Sequence, residues 1–247
     1  MLYFRGCTAR ERLNSISNSI EELLDLINLD FKTLENEECC GSVLLRTGFV
    51  DEAKEIMKKN VSKLKDEKII VSCAGCYKTF KKDYNELLDI ELEVIHISQL
   101  LRDLIKEGKF DSFLFNSESV HNYTQNESVT YHDPCHLARH MGEYDAPREV
   151  INMFSNLNEM EFNKENSRCC GSGGGVKSAF PEIAQSIAIE RVIDAENTGC
   201  STIVTSCPFC KLNLDENSSL EVLDLSEFVL KQIKMKSQNE NSNNELI

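Results

Sequence analysis

The chain has 247 residues, 41% hydrophobic and 28% charged, enough to bury one large core or two of about 110–120 residues each. Its 41 acidic and 27 basic residues leave a net charge of −14 with no concentrated basic stripe, which argues against nucleic acid as a partner. No run of about 18 apolar residues is present, and MLYFRGCTARERL lacks the apolar stretch of a secretory signal, so the chain reads as cytoplasmic, or membrane-associated only through a partner subunit.

In chain order, LYF (2–4) predicts a short strand ending just before Cys7, with a helix over 10–27. Cys39 and Cys40 then stand side by side before Gly41, and a helix follows over 50–65 whose KKNVSKLK run is a solvated face. KIIVS (68–72) predicts a buried strand running into CAGC, with Cys73 and Cys76, and a helix over 76–88. The polar stretch NSESVHNYTQNES (116–128) is the expected linker. VTYH (129–132) predicts a strand ending before Cys135, followed by a helix over 146–154 and a strand at EMEF (159–162). Cys169 and Cys170 precede GSGGG, a helix spans 180–197, and STIVTS (201–206) predicts a strand entering CPFC, with Cys207 and Cys210. Helices over 208–216 and 225–234 and a disordered tail over 236–247 complete the expectation.

Ten of the 11 cysteines fall into two copies of one pattern: C, spacer, CC-G, spacer, C-x-x-C. The spacers are 31 and 32 residues in the first copy and 33 and 36 in the second; Cys200 alone is left over and reads as a small buried side chain. The flanks agree: CCGSVLLRTG against CCGSGGGVKS, VSCAGCYKTF against TSCPFCKLNL. A unit of about 120–130 residues is too long for a solenoid repeat and suits a pair of small domains, expected at 1–115 and 129–235. Strands alternating with helices predict an α/β fold in two duplicated halves. Each is a small parallel sheet flanked by helices, with cysteines delivered from the C-terminal ends of strands to one edge.

Three readings compete for five thiols per copy. Disulfides conflict with a reducing compartment and leave an odd cysteine in each half. Structural zinc favours C-x-x-C pairs but takes four thiolates, leaving a fifth idle; zinc in one repeat stays open. Iron–sulfur chemistry suits soft thiolates, and a fifth ligand invites a less symmetric cluster than a cube held by four. Adjacent cysteines then direct two sulfurs at neighbouring irons, while the glycines that follow let backbone N–H groups approach an inorganic core.

The doubled pattern resembles the cysteine-rich CCG domain of heterodisulfide reductase subunits of the B and D types, and of the iron–sulfur subunits of glycolate oxidase and thiol:fumarate reductase. VTYHDPCHLARHMGEYDAPREVI, SRCCGSGGGVKSAFPEIA and VTSCPFCKLNL look closest to the D type, and the resemblance covers residues 2 to 232. It implies two 4Fe–4S clusters, of a noncubane kind. One would be held by Cys7, Cys39, Cys40, Cys73 and Cys76, the other by Cys135, Cys169, Cys170, Cys207 and Cys210. They would face each other across a cleft where a small disulfide substrate is reduced. The implied partners are an electron-donating iron–sulfur or flavin subunit and a membrane cytochrome subunit. D-type relatives carry a ferredoxin-like segment ahead of the first unit, whereas Met1 here stands six residues before Cys7, which reads as a B-like subunit or the loss of an upstream portion. Two alternatives accompany the catalytic reading: an electron-transfer subunit of a flavin-dependent 2-hydroxy acid oxidase, and a zinc-stabilised interaction module.

Beside the cysteines, His132 and His136 are candidate catalytic residues, as proton donors to a departing thiolate or hydrogen bonds to a cluster. The competing reading of His132 is a His-Asp-Pro turn closing a strand. His96, His121 and His140 read as structural. Arg46, Arg168 and Lys177 lie near the CC pairs, where they either balance an anionic cluster or substrate or remain solvated. GSGGG lacks the GK[ST] ending of a phosphate loop and is not a dinucleotide G-x-G-x-x-G.

Overall fold

The computed structural model describes residues 1–114 and 128–244. Two four-stranded, wholly parallel sheets repeat one topology. The first contains β1 (Leu2–Phe4), β2 (Lys32–Thr33), β3 (Ile69–Val71) and β4 (Val94–His96), in the order β2-β1-β3-β4. The second contains β5 (Ser128–His132), β6 (Asn156–Leu157), β7 (Thr202–Thr205) and β8 (Glu221–Asp224), in the order β6-β5-β7-β8. Parallel neighbours need helical crossovers, and these cover both faces of each sheet.

The sequence alternation sorts the strands between two apolar clusters. Leu2, Phe4, Ile69 and Val71 join the cluster that carries the cysteines, while Tyr3 and Ile70 point the other way. That second cluster also takes Tyr131 and Val204 from the other sheet, so it joins the halves. Four helices fill it: α2 (Asn14–Leu26), α6 (Ile97–Lys106), α7 (Asp145–Phe154) and α11 (Leu225–Asn244). Contacts run between α6 and α7 and between α2 and α11. Leu100, Leu101, Leu104 and Ile105 give α6 a buried stripe at helical spacing.

The elements that carry the cysteines are shorter. They are α1 (Cys7–Glu11), α3 (Ser42–Arg46) and α5 (Ala74–Lys78) in the first half, with α8 (Val176–Ala179) and α10 (Pro208–Asp215) in the second. A long helix follows each CC-G turn: α4 (Val50–Leu64) after the first and α9 (Pro181–Glu196) after the second. Their buried positions are in register. Counted from the first residue of each helix, Ala53, Met57, Asn60 and Leu64 match Ala184, Ala188, Arg191 and Ala195.

Several boundaries differ from expectation. The helix expected over 10–27 is two, because the backbone turns at Arg12, where Leu13 N–H bonds Thr8 O (3.1 Å). The expected 76–88 helix begins at Ala74 and passes through a π-helical turn at Thr79–Asp83. The strand expected at 159–162 lies instead at Asn156–Leu157; only Met160 of that segment is buried, packed into the cysteine-bearing cluster. The last helix continues to Asn244, through most of the segment read as a disordered tail. Residues 116–127 of the expected linker, with His121, lie outside the described residues, and Ser128 already belongs to β5. Among the described residues no helix is long and apolar enough to cross a membrane.

Candidate functional site

Cys7, Cys73, Cys135 and Cys207 sit where a strand gives way to a helix or a turn, and the CC pairs lie in the turns that lead to α3 and α8. Cys7 follows β1 and opens α1 after Gly6, while Cys135 follows β5. Cys73 and Cys207 are the N-caps of α5 and α10, which puts Cys76 and Cys210 in the first turns of those helices. Unbonded N–H groups at a helix start favour a thiolate there. The CC pairs end in glycines with positive φ, Gly41 (+91°) and Gly171 (+81°). In both halves that turn aims an amide back at a sulfur: Gly41 N–H to Cys39 Sγ (3.4 Å), Gly171 N–H to Cys169 Sγ (3.3 Å).

All ten pattern cysteines line one cavity of about 500 Å³ between the halves. Cys40 and Cys76 sulfurs are 3.2 Å apart. Cys200 is buried elsewhere, outside the lining. The two quintets also meet, since hydrogen bonding with Cys207 is the leading cause that holds the Cys73 thiol up. The thiols share protons unequally. Cys40 is pushed down by hydrogen bonds from Cys39 and Cys76, and Cys170 by hydrogen bonds from Cys169 and Cys210. Their donors rise in turn: Cys39 to about 11, and Cys76, Cys169 and Cys210 well up, through those same bonds first and burial next. Burial pushes Cys135 up. Cys207 is pushed down as well, by hydrogen bonds from Cys210 and Cys73, so thiolate character gathers on Cys40 in the first quintet and on Cys170 and Cys207 in the second.

Buried polar side chains hold these turns. Asn60 Nδ2 donates to Cys39 O (2.8 Å) and Tyr84 OH to Cys40 O (3.3 Å); in the second half Asn213 Nδ2 donates to Cys170 O (2.6 Å). The loop before Cys7 is braced by Glu37, which accepts from the amides of Arg5 and Gly6 (2.8 Å each). The loop before Cys135 is braced by buried Asp133, paired in two parallel 2.8 Å bonds with Arg148.

The rest of the lining is apolar, hydroxyl-bearing (Thr8, Ser42, Ser172, Ser178) or basic. Arg12, Arg46 and Lys177 reach the cavity, and no Asp or Glu among the described residues lines it. Arg46 pairs with Asp83 (2.6 Å) and Lys177 with Glu216, whereas exposed Arg12 has no acidic partner among the described residues. Arg168 lies outside the lining, paired to Asp194 and stacked on Phe162. The cavity thus presents three basic side chains, of which Arg12 alone is unneutralised by an acid among the described residues, on a protein of net −14. Of the histidines, half-buried His136 lines the cavity, its pKa lowered first by burial, and packs edge-on to exposed His140. His132 ends β5, is fully buried and stands behind the cavity wall, where one of its ring nitrogens, Cys170 Sγ and Cys210 Sγ all lie within 4.8 Å of one another. His96 is a buried helix cap, held to about 4 by burial. Sequence reasoning missed Arg12, Asn60, Asn213 and Arg191. The register of α4 on α9, aligned on Phe49 and Phe180, is the signal that would have paired Asn60 with Arg191.

Ten thiols without a carboxylate, with amides donating to sulfur, form a donor set for a soft metal or an iron–sulfur group rather than for a hard cation. By that chemistry the residues fit the group that the cysteine pattern implies.

Comparisons with known proteins agree with this geometry. The cysteine-rich domain (CCG) family matches residues 1–81 and 129–215, one unit in each half. The chain is 41% identical over 233 residues to the D-type subunit of the dihydromethanophenazine:CoB–CoM heterodisulfide reductase of Methanosarcina acetivorans, covering 90% of this chain and 55% of that one. It is 34% identical over 222 residues to the B-type subunit of the fumarate reductase (CoM/CoB) of Methanothermobacter marburgensis (90% and 42%). It is 30% identical over 213 residues to the probable iron–sulfur-binding oxidoreductase FadF of Bacillus subtilis (84% and 29%). The chain thus spans about half the length, or less, of these relatives. Among solved structures, glutamate racemase RacE1 of Bacillus anthracis aligns over 97% of this chain and 80% of its own, at 13% identity and a TM-score of 0.41, a likeness too slight to inform the site. With both units matched and every pattern cysteine on one cavity, the chain belongs to the CCG cysteine-rich domain family.

Proposed function

We propose that the chain is the disulfide-reducing part of an iron–sulfur oxidoreductase, with two 4Fe–4S clusters of the noncubane kind. Cys7, Cys39, Cys40, Cys73 and Cys76 would hold the first, and Cys135, Cys169, Cys170, Cys207 and Cys210 the second. The observation that carries the reading is the convergence of two thiol quintets on one cavity that no carboxylate among the described residues lines. A closed zinc site would use four thiols and leave a fifth in each half without a role. Such clusters, when bound, supply one-electron steps at a chosen potential.

The chain's own residues do the remainder. Arg12, Arg46 and Lys177 attract and orient an anionic disulfide, steering it into the cavity against the protein's overall negative charge. Val43, Phe209 and Leu212 restrict water around it. The reaction R–S–S–R′ + 2 e⁻ + 2 H⁺ → RSH + R′SH breaks one S–S bond and needs two protons. His136, at the wall and beside the partly exposed Cys135, is placed to deliver one to a departing thiolate. Electrons come from a partner subunit carrying iron–sulfur, flavin or cytochrome centres.

The test is a single turnover. Protein loaded with iron and sulfide under anaerobic conditions and reduced with dithionite is freed of excess reductant and mixed with an anionic mixed disulfide. Release of two thiols per disulfide supports the reading. Reduced centres that persist unchanged over the disulfide would instead mark an electron relay without a substrate of its own.

A further inference from the structure

The duplication lets residues around one quintet be compared with their counterparts around the other, and two neighbouring pairs differ in kind. Three residues before the first cysteine of each pattern, at the last position of the strand, stands Phe4 in the first half and His132 in the second. At the matching position of the long helix stand Asn60 and Arg191, both fully buried. Phe4 packs edge-on against Phe80 (4.8 Å), whereas Arg191 Nε donates to His132 Nδ1 at 3.0 Å.

That bond fixes the imidazole. A guanidinium has donors and no acceptor, so Nδ1 must accept and the ring proton sits on Nε2. Arg191 cannot turn away. Its other nitrogens are held by Phe162 O (2.8 Å), Asp194 Oδ2 (3.2 Å) and Ser167 Oγ (3.2 Å), and no part of it reaches solvent. Among the described residues His132 Nε2 has no hydrogen-bond partner of its own, although it is fully buried. The sulfurs of Cys170 and Cys210 lie beside the ring, within 4.8 Å of one of its nitrogens. A buried N–H without a partner costs stability unless the site's working state supplies one.

We propose that His132, locked by Arg191 as the Nε2–H tautomer, is a positioning residue that donates a hydrogen bond to the sulfurs of the second quintet and makes the two sites electronically unequal. It is not a metal ligand. Ligation through Nε2 would move the proton to Nδ1 and set it against Arg191 Nε–H, the reverse of the usual arrangement in which a ligating imidazole donates to a carboxylate or carbonyl. A donor to a ligating sulfur stabilises the more negative, reduced state, so the second site takes electrons more readily than the first. The inference rests on the iron–sulfur reading above.

The experiment is an anaerobic redox titration of the loaded protein followed by electron paramagnetic resonance, with iron content measured in parallel. A Cys170→Ser variant, lacking the second site, identifies which potential belongs to it. In wild type the second site should be reduced first. His132→Phe, which copies the first half, should keep its iron and make the second site about tenfold harder to reduce at a given poise, about 59 mV for one electron, leaving the first site unmoved. His132→Gln, whose side-chain amide also places an N–H towards the sulfurs, should restore at least half of that shift. Unchanged potentials in His132→Phe, a shift of both sites alike, or loss of iron from the second half in both variants would each overturn the proposal. A wild type that holds no iron would defeat the iron–sulfur reading itself and is thereby told apart.

Discussion

Gly171→Ala, set beside Gly41→Ala, tests how tightly each CC turn is built. Both glycines have positive φ, where alanine costs about 1–2 kcal/mol. Their surroundings differ. A Cβ on Gly41 would meet the end of Met57 at 3.4 Å, an ordinary contact with a flexible side chain. A Cβ on Gly171 would lie 2.5 Å from Ala184 O and 3.1 Å from Asn213 Nδ2. Ala184 O is helix backbone, and Asn213 is the residue that holds both Cys170 O and Ala184 O, so neither can retreat cheaply. Overpacking of this kind adds about 1–3 kcal/mol, which puts Gly171→Ala at about 2–5 kcal/mol and Gly41→Ala at about 1–2. Anaerobic urea denaturation of the metal-loaded protein, with iron counted after gel filtration, measures both. Gly171→Ala should be the less stable and should lose metal from the second half. Equal losses in the two variants, or a larger one for Gly41→Ala, would refute the argument.

Further predictions follow from single residues. Cys170→Ser removes the sulfur to which Cys169 and Cys210 donate, so iron should fall by about half while the first site's spectrum persists; full iron content would contradict the ligand assignment. Arg12→Ala removes a cavity-lining cation that has no acidic partner among the described residues, so KM for an anionic disulfide should rise by about five- to tenfold with kcat and visible absorption unchanged; an unchanged KM would remove Arg12 from substrate binding. Asp224 is buried, and its pKa is pushed up to about 7 by burial, then by Glu227. Its carboxyl stays protonated in the fold after it would have ionised in the unfolded chain. The stability it contributes is therefore full below about pH 4 and is lost as pH rises to about 7, on the order of 4 kcal/mol in all. Asp224→Asn should flatten that part of the pH dependence and be the more stable of the two at pH 8. Parallel stability curves for the two proteins would exclude it.

The strands that deliver cysteines were legible because each is a short apolar run, buried at the centre of its sheet, that leads directly into a cysteine motif. LYF, KIIVS, VTYH and STIVTS all became strands, and their ends bring Cys7, Cys73, Cys135 and Cys207 to one cavity. The outer strands were not legible. Lys32–Thr33 and Asn156–Leu157 are two-residue edge pairings set by their neighbours, with no alternation of their own. The break at Arg12 carries no glycine or proline to announce it. Arg191 was invisible for a different reason: an arginine in a helix reads as surface, and only its ring of acceptors makes burial tolerable. The same applies to Asn60 and Asn213, whose task is to hold carbonyls of the CC turns.

The most direct measurement of the central claim is an iron, acid-labile sulfide and zinc determination on anaerobically purified protein, taken with its visible spectrum. Two clusters held by the two quintets predict about eight iron and eight sulfide per chain, a brown colour and no stoichiometric zinc. A colourless protein with one or two zinc ions per chain and no sulfide would contradict the account.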